Sequence, residues 1–308
     1  MDLQVIFLGT AGSVPTTQRA LPAVVVKREG ELLIFDCGEG VQRQMVRARV
    51  GFHKKTKIFI THMHGDHVLG LPGLIQTMSL LDRRKELEVF GPVGVKAFLD
   101  AVRQTVQFTQ TFPILVQEIS EEGIVREEKE YTVEAAHANH AIPSLAYAFV
   151  GKPRPGRFSI EKAQRLGVPE GPLWSKLQHG ENVRLTNGKT VKPRDVLGKP
   201  RQGRKIVYTG DTRPTKALVK LARNADLLIH DSTFDDELAE RAREDGHSTP
   251  KDAAKIAKQS RVKRLVLTHI SARYKTPDLL LSQARKIFKN VDVAEDFMRI
   301  DLPLNDPV

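Results

Sequence analysis

Short apolar runs recur along the chain, most of them closed by glycine, proline or a charged turn, and they alternate with longer amphipathic stretches. Residues 3–8, 23–27 and 31–35 read as three strands that open a sheet, with a turn at Glu29-Gly30. Residues 57–61 (KIFIT) read as a compact buried strand, and 87–90, 114–119, 131–136 and 145–150 as further strands. Helices are predicted over 41–50, 73–81 and 93–106. A glycine- and proline-rich stretch then breaks the pattern; inside it, 159–165 suits a short helix capped by Ser159. Beyond it the alternation resumes, with strands at 205–208, 226–230 and 264–267 and helices at 216–223, 250–260 and 277–288. This alternation predicts an α/β fold with strands in both halves and one irregular insertion. No repeat of 20–50 residues is present.

Chemistry gathers where the predicted strands stop. His62 follows KIFIT, Asp211 follows KIVYTG, Asp231 follows DLLIH and His269 follows RLVLT. Residues just past the carboxyl ends of buried strands are where α/β folds assemble sites. The stretch THMHGDH, 61–67, places His62, His64, Asp66 and His67 within six positions. Imidazole and carboxylate both bind zinc at about 2.0–2.1 Å. His62 and His64 are separated by one residue, so on extended chain they face the same way and can share a metal. Gly65 allows a turn that presents Asp66 and His67 to a second metal. Two metals need more ligands; Asp211, His269 and a histidine of VEAAHANHAIPS are candidates. Asp211 can bridge, because one carboxylate can tie metals about 3.5–4 Å apart.

Charge adds a partner class. The formal net charge is +11, and residues 152–205 hold fourteen lysines and arginines against four acids, leaving about one net charge for the rest of the chain. The same window contains six prolines and seven glycines. Basic charge this concentrated fits a polyanion such as nucleic acid, or simply a solvated insertion. Cys37 is the single cysteine, so no internal disulfide can form, which suits a reducing compartment. The opening MDLQVIFLGTAG lacks a basic leader, and no apolar run approaches the roughly eighteen residues of a membrane span. These features predict a cytoplasmic protein without a membrane partner.

The segments FLGTAGSVP, FDCGEG, THMHGDHVLGLPGL, NHAIPS, YTGDTRP, HDSTF, GHST and THISARY run nearly end to end. In that order they resemble the ribonuclease Z family, tRNA 3′-processing endonucleases of the metallo-β-lactamase superfamily. The resemblance implies a four-layer αβ/βα sandwich of two mixed sheets, one domain over 1–308, with an inserted protruding arm at 151–180. It implies two Zn2+ per subunit, with Mn2+ or another divalent ion able to serve. His62, His64 and His140 would hold one metal, Asp66, His67 and His269 the other, and Asp211 both. His140 is chosen because Ala-Ile-Pro-Ser follows it; His137 is then a strand residue. His53, His179 and His230 match no ligand position, and Cys37 is expected to be a small buried residue. Asp66 is implied as general base acting on a metal-activated water. His247 is implied as proton donor to the leaving 3′-oxygen, oriented by Asp231 where relatives often carry glutamate. GHST also reads as a helix start, with Ser248 or Thr249 as cap and Pro250 in the first turn.

In the arm, the resemblance implies phosphate contacts from Lys152, Arg154, Arg157, Lys162, Arg165 and Lys176; Trp174 could stack on a base, but ordinary packing that pins the arm's own fold is the expected role. It further implies a homodimer in which one subunit's arm serves the other's centre. The activity expected is cleavage of precursor tRNA after the discriminator base, leaving a 3′-hydroxyl on the tRNA and a 5′-phosphate on the trailer. Two other readings share these residues: a hydrolase of small phosphodiesters or esters, and a non-catalytic RNA-binding subunit. All seven ligand positions are filled, which ranks the non-catalytic subunit last.

Overall fold

The computed structural model describes residues 3–304. Two seven-stranded sheets lie face to face, with helices on both outer faces, so the body has four layers. The first sheet runs in the order Arg299–Asp301, Leu3–Gly9, Ala23–Arg28, Glu31–Phe35, Lys55–Phe59, Leu87–Pro92, Ile114–Ile119. Its early pairings are antiparallel, and those from Glu31–Phe35 onward are parallel. The second runs Val291–Val293, Arg264–Thr268, Leu227–Asp231, Lys205–Tyr208, Ser144–Gly151, Tyr131–Ala138, Gly123–Glu127. It too is mixed, parallel at the first four strands and antiparallel beyond.

The central strands are buried on both faces, which is why they read as continuous apolar runs. Along Glu31–Phe35, Leu32 and Ile34 face one outer helix layer while Leu33 and Phe35 enter the space between the sheets. Met45, Leu71 and Met78 bring the helices Val41–Ala48 and Gly70–Leu80 onto the first sheet. Leu218, Ile256 and Leu280 bring Lys216–Leu221, Pro250–Ser260 and Asp278–Arg285 onto the second. Each such side chain contributes about 1.5–3 kcal/mol on burial.

The strand expected at 57–61 is displaced to Lys55–Phe59. Past Phe59, Ile60 N–H still donates to the Phe90 carbonyl of the adjacent strand, but Thr61 N–H turns to the Asp36 side chain. The chain is therefore released from the ladder just before His62. Several elements had no counterpart in the periodic pattern, among them the edge strand Gly123–Glu127 and the helices Pro172–Gln178 and Ala239–Asp245. Among the described residues no helix is long and apolar enough to cross a membrane.

Gly151–Arg204 makes up the bulk of a second compact unit. Its small core joins Ala163, Val168, Leu177, Val183, Val191 and Val196, with Phe158 and Trp174 packed against it. Ser159 caps the helix Ile160–Arg165, its Oγ accepting from Lys162 N–H. The Trp174 ring lies 5.4 Å from that of Phe158, and its Nε1–H donates to the Val168 carbonyl, so the indole is engaged in the unit's own packing. The arm expected at 151–180 stops short of this unit. The hairpin Val183–Arg184/Thr190–Val191 and the turn of helix Pro193–Val196 supply core residues from beyond that limit. Arg157, Lys162, Arg165 and Lys176 are exposed, while Lys152 and Arg154 are half-buried. Arg184, Lys189, Lys192, Arg194 and Lys199 are exposed as well and lie outside the expected range.

Candidate active site

Released from its strand, the chain runs extended through His64 (φ −66°, ψ 146°) and then makes one helical turn, Gly65–Val68. The extension brings His62 Nε2 within 3.1 Å of His64 Nδ1, and His140 Nε2 approaches the same atom at 3.2 Å. The helical turn swings Asp66 and His67 the other way, to His269. His67 and His269 face each other Nε2 to Nε2 at 3.4 Å, and Asp66 Oδ2 lies 3.5 and 3.4 Å from those two nitrogens. Asp211 reaches both groups: its Oδ2 is 3.7 Å from His62 Nε2, 3.3 Å from His67 Nε2 and 3.2 Å from His269 Nε2. The seven side chains named from the sequence thus converge from four strand ends and one loop. His137 is left outside, exposed on Tyr131–Ala138; His53 and His179 are exposed. His230 is buried and its Nδ1–H donates to the Asp231 carbonyl.

The ring nitrogens turned away from this centre are held from behind. His62 Nδ1 meets Thr61 Oγ at 3.0 Å, His140 Nδ1–H donates to the Gly246 carbonyl at 2.8 Å, and His269 Nδ1 meets Thr233 Oγ at 2.7 Å. His67 Nδ1–H donates to Asp36 Oδ2 at 2.7 Å. Such outer partners fix the ring orientation and aim Nε2 inward, where it can take a metal in place of a proton. Two glycines permit the close approach. A Cβ on Gly246, whose φ is +85°, would sit 2.6 Å from His140 Nδ1, and one on Gly12 would sit 2.8 Å from His269 Nδ1.

Asp36 is the residue that motif reading passed over. It is fully buried and accepts from Thr61 N–H (2.7 Å), Thr61 Oγ–H (2.9 Å), His67 and the Tyr208 hydroxyl (2.8 Å). The signal was present: FDCGEG places Asp36 directly after a strand, as His269 is placed. Cys37 beside it is buried, and burial, with Asp36, raises its thiol pKa, so it is no nucleophile. Asp36 and His269 both adopt left-handed backbone, φ 59° and 60°. That conformation costs about 1–3 kcal/mol at a non-glycine residue and persists only where the surroundings enforce it. At His269 they do, since Arg264–Thr268 pairs in the main sheet and Ile270–Ser271 pairs with Ala11–Gly12.

Charge in the centre follows burial and neighbours. Burial, reinforced by the positive field of His67, pushes His62 down to about 2, so its ring is neutral. Burial opposes charge on His67 too, but Asp211 and Asp36 outweigh it and raise its pKa well above normal. Those carboxylates would favour a metal cation at Nε2 in the same way. Burial raises Asp211 and Asp66, yet the facing imidazoles outweigh it and hold both far below the usual carboxylate range. Asp211 Oδ1 is buried with no hydrogen-bond partner, a cost of about 1–3 kcal/mol that a cation would remove. Inward lone pairs, ionised carboxylates and one orphaned oxygen make a donor set that fits a divalent metal.

A second group adjoins it. Asp231 Oδ2 lies 3.1 Å from His247 Nδ1, so the aspartate is long enough to reach the ring. Asp231 also accepts from the Thr233 and Ser248 N–H groups. Burial lowers the His247 pKa, but Asp231, aided by Asp211, outweighs it and the ring is pushed up to about 9. Thr249 caps the helix Pro250–Ser260 with Asp252 as its reciprocal partner, fixing the loop that carries His247. The sequence reading also missed Thr233. Its hydroxyl donates to Asp231 Oδ1 at 2.7 Å and touches His269 Nδ1 at 2.7 Å and His247 Nδ1 at 3.2 Å, joining the two groups.

Comparison with known proteins finds relatives along nearly the whole chain. A family model described as a beta-lactamase superfamily domain matches residues 170–270, and one described as the anti-Pycsar protein Apyc1 matches residues 3–143. Ribonuclease Z of Methanosarcina acetivorans is 50% identical over 98% of both chains. That of Haloferax volcanii is 47% identical over 99% of this chain and 97% of its own. The solved structure of human tRNase Z, short form, is 32% identical, covers 97% of this chain and 99% of its own, and superposes with a TM-score of 0.71. At 50% identity along almost its whole length, and with two helix-flanked mixed sheets of the metallo-β-lactamase type, the chain belongs to the ribonuclease Z family.

Proposed function

We propose that the chain is a zinc-dependent endoribonuclease that removes the 3′ trailer of precursor tRNA after the discriminator base, leaving a 3′-hydroxyl on the tRNA and a 5′-phosphate on the trailer. The observation that carries this is the convergence of His62, His64, His140, Asp66, His67, His269 and Asp211 beside the Asp231–His247 pair. Two metals suit the arrangement, one among His62, His64 and His140, one among Asp66, His67 and His269, with Asp211 common to both. When bound, zinc, or manganese in its place, supplies Lewis acidity toward phosphate and water.

The chain's own groups divide the proton work. Asp66 is kept ionised by His269 and His67, so at neutral pH it is an acceptor that can orient and take a proton from the attacking water as general base. His247 is charged at neutral pH, and its Nδ1 is engaged by Asp231. Its Nε2–H is then the proton offered to the leaving 3′-oxygen, a poor leaving group until protonated. Thr233 holds this donor in register with His269.

The arm fits the substrate class. Exposed Arg157, Lys162, Arg165 and Lys176 supply phosphate contacts, with Lys152 and Arg154 behind them. The reading includes a homodimer in which one subunit's arm serves the partner's centre. A cytoplasmic setting suits the lone buried thiol of Cys37.

The test is direct. The purified chain with zinc or manganese should cut trailer-bearing precursor tRNA once, and a chelator should stop it. Intact precursor under those conditions overturns the reading, and hydrolysis confined to small diesters would favour the simpler hydrolase.

A further inference from the structure

A cavity of ≈ 390 Å³ opens on the His247 side of the centre. Its walls include His247, Phe234, Arg241, Asp245, Arg273 and Val14. The volume is within the range of small-ligand sites. Three features narrow what it takes. Phe234 is buried and carries two guanidiniums over its ring, Arg273 at 4.9 Å from the centroid and Arg241 at 5.6 Å. The two arginines differ in their partners. Arg241 is paired with Asp245, whereas no carboxylate lies within ion-pair distance of Arg273 among the described residues, and its Nε–H goes to the Ser271 hydroxyl. Val14, which also lines the cavity, is 59% exposed and apolar, and its neighbour Ser13 donates its N–H to Asp66.

A planar cation backed by an aromatic ring, with an exposed apolar residue in the same cavity, suits a flat, electron-rich ring attached to an anionic backbone. A nucleobase has that chemistry. The position of the cavity says which one. His247 protonates the oxygen that leaves, so the nucleoside bearing that oxygen must lie against His247, and the cavity is what adjoins it.

We propose that Arg273, held on Phe234, is a stacking platform for the base of the nucleoside whose 3′-oxygen is released, in a cavity that Val14 also lines. Arg273 then reads the end of the mature RNA by shape and stacking, not by sequence. Stacking is tolerant of base identity because every base offers a π-face. The assignment rests on the proposed cleavage of precursor tRNA. If the unaltered protein leaves precursor uncut, that reading fails before this one is reached.

The test pairs protein and RNA changes. Precursor tRNA is prepared with its natural discriminator nucleotide, with an abasic discriminator, and with an abasic first trailer nucleotide. Each is cut under single-turnover conditions by the unaltered protein, by Arg273→Ala and by Arg273→Lys. Loss of the discriminator base should slow the unaltered protein about tenfold, the size of one base stack. In Arg273→Ala and Arg273→Lys the intact and abasic-discriminator precursors should be cut alike, because the plane is gone in both. A discriminator effect that persists in Arg273→Ala overturns the platform. An effect kept in Arg273→Lys reduces the residue to a phosphate charge and also overturns it. Coupling found at the first trailer nucleotide instead overturns the choice of nucleoside. Each result is a ratio within one protein, so a general loss of activity in a variant does not blur it.

Discussion

In the strand-end centre, His62, His67, Asp211 and Asp231 are buried, and most of their polar atoms have a named partner at a set distance. In the Gly151–Arg204 unit, Arg157, Lys162, Arg165 and Lys176 stand in solvent around a core of a few small side chains. The first region works by position. Its groups act together, so removing one removes the function of several. Under the proposed function the second would work by sum, each exposed cation adding one phosphate contact and none being indispensable. Chemistry is concentrated in single residues, while recognition is spread over many.

The comparison breaks most visibly at Asp211, the side chain within 3.7 Å of His62, His67 and His269 and proposed to serve both metals. Asp211→Ala should lower precursor cleavage by more than about 10³-fold, the loss of several kcal/mol of transition-state stabilisation. Metal bound per chain, measured on the purified variant, should fall with it. Cleavage retained within tenfold would sink the bridging role.

Next in size is His247. His247→Ala should cost about 10²–10⁴-fold, the usual range for general acid catalysis. The sign of its pH dependence is fixed by the raised pKa. The ring is protonated below about 9 and loses its proton as pH rises through that value, so the unaltered protein should slow above pH 9. The variant should lack that descending limb. An unchanged alkaline limb in His247→Ala would assign the proton to another group.

The smallest effects belong to the arm. Lys176→Ala or Arg165→Ala should raise KM a few-fold with kcat nearly constant, and flatten the salt dependence of binding by about one phosphate contact. A single arm substitution that abolished cleavage would erase the contrast between the two regions.

The same contrast decides what could be read from the sequence. His62, His64, Asp66 and His67 crowd into one loop, and Asp211 and His269 each end an apolar run, so local spacing was enough. Asp36 also ends an apolar run, but it stands alone there. Its role depends on Thr61, His67 and Tyr208, which only the sheet pairing brings to it. Thr233 is similar: a hydroxyl between Asp231, His247 and His269 leaves no mark on periodicity. The central strands were legible because doubly buried strands must be apolar, whereas their arrangement in four layers came only from the family resemblance. The edge strand Gly123–Glu127 is mostly exposed and shows no such run. In the arm, two-residue strands and single-turn helices are too short to show a period, so its second half went unread.

Val150 and Lys205 face each other as antiparallel neighbours in the second sheet. Everything between them is therefore an enlarged hairpin turn, one that acquired its own core. This sets where the unit can be removed. A cut at 153–180 would strip helices from that core and strand Val183, Val191 and Val196 in water, mixing lost binding with misfolding. Replacing Gly151–Arg204 with Asn-Gly would instead restore the two-residue connection that antiparallel strands favour. The body's topology needs nothing more at that corner, so the arm could be exchanged as a module while the catalytic scaffold keeps its register.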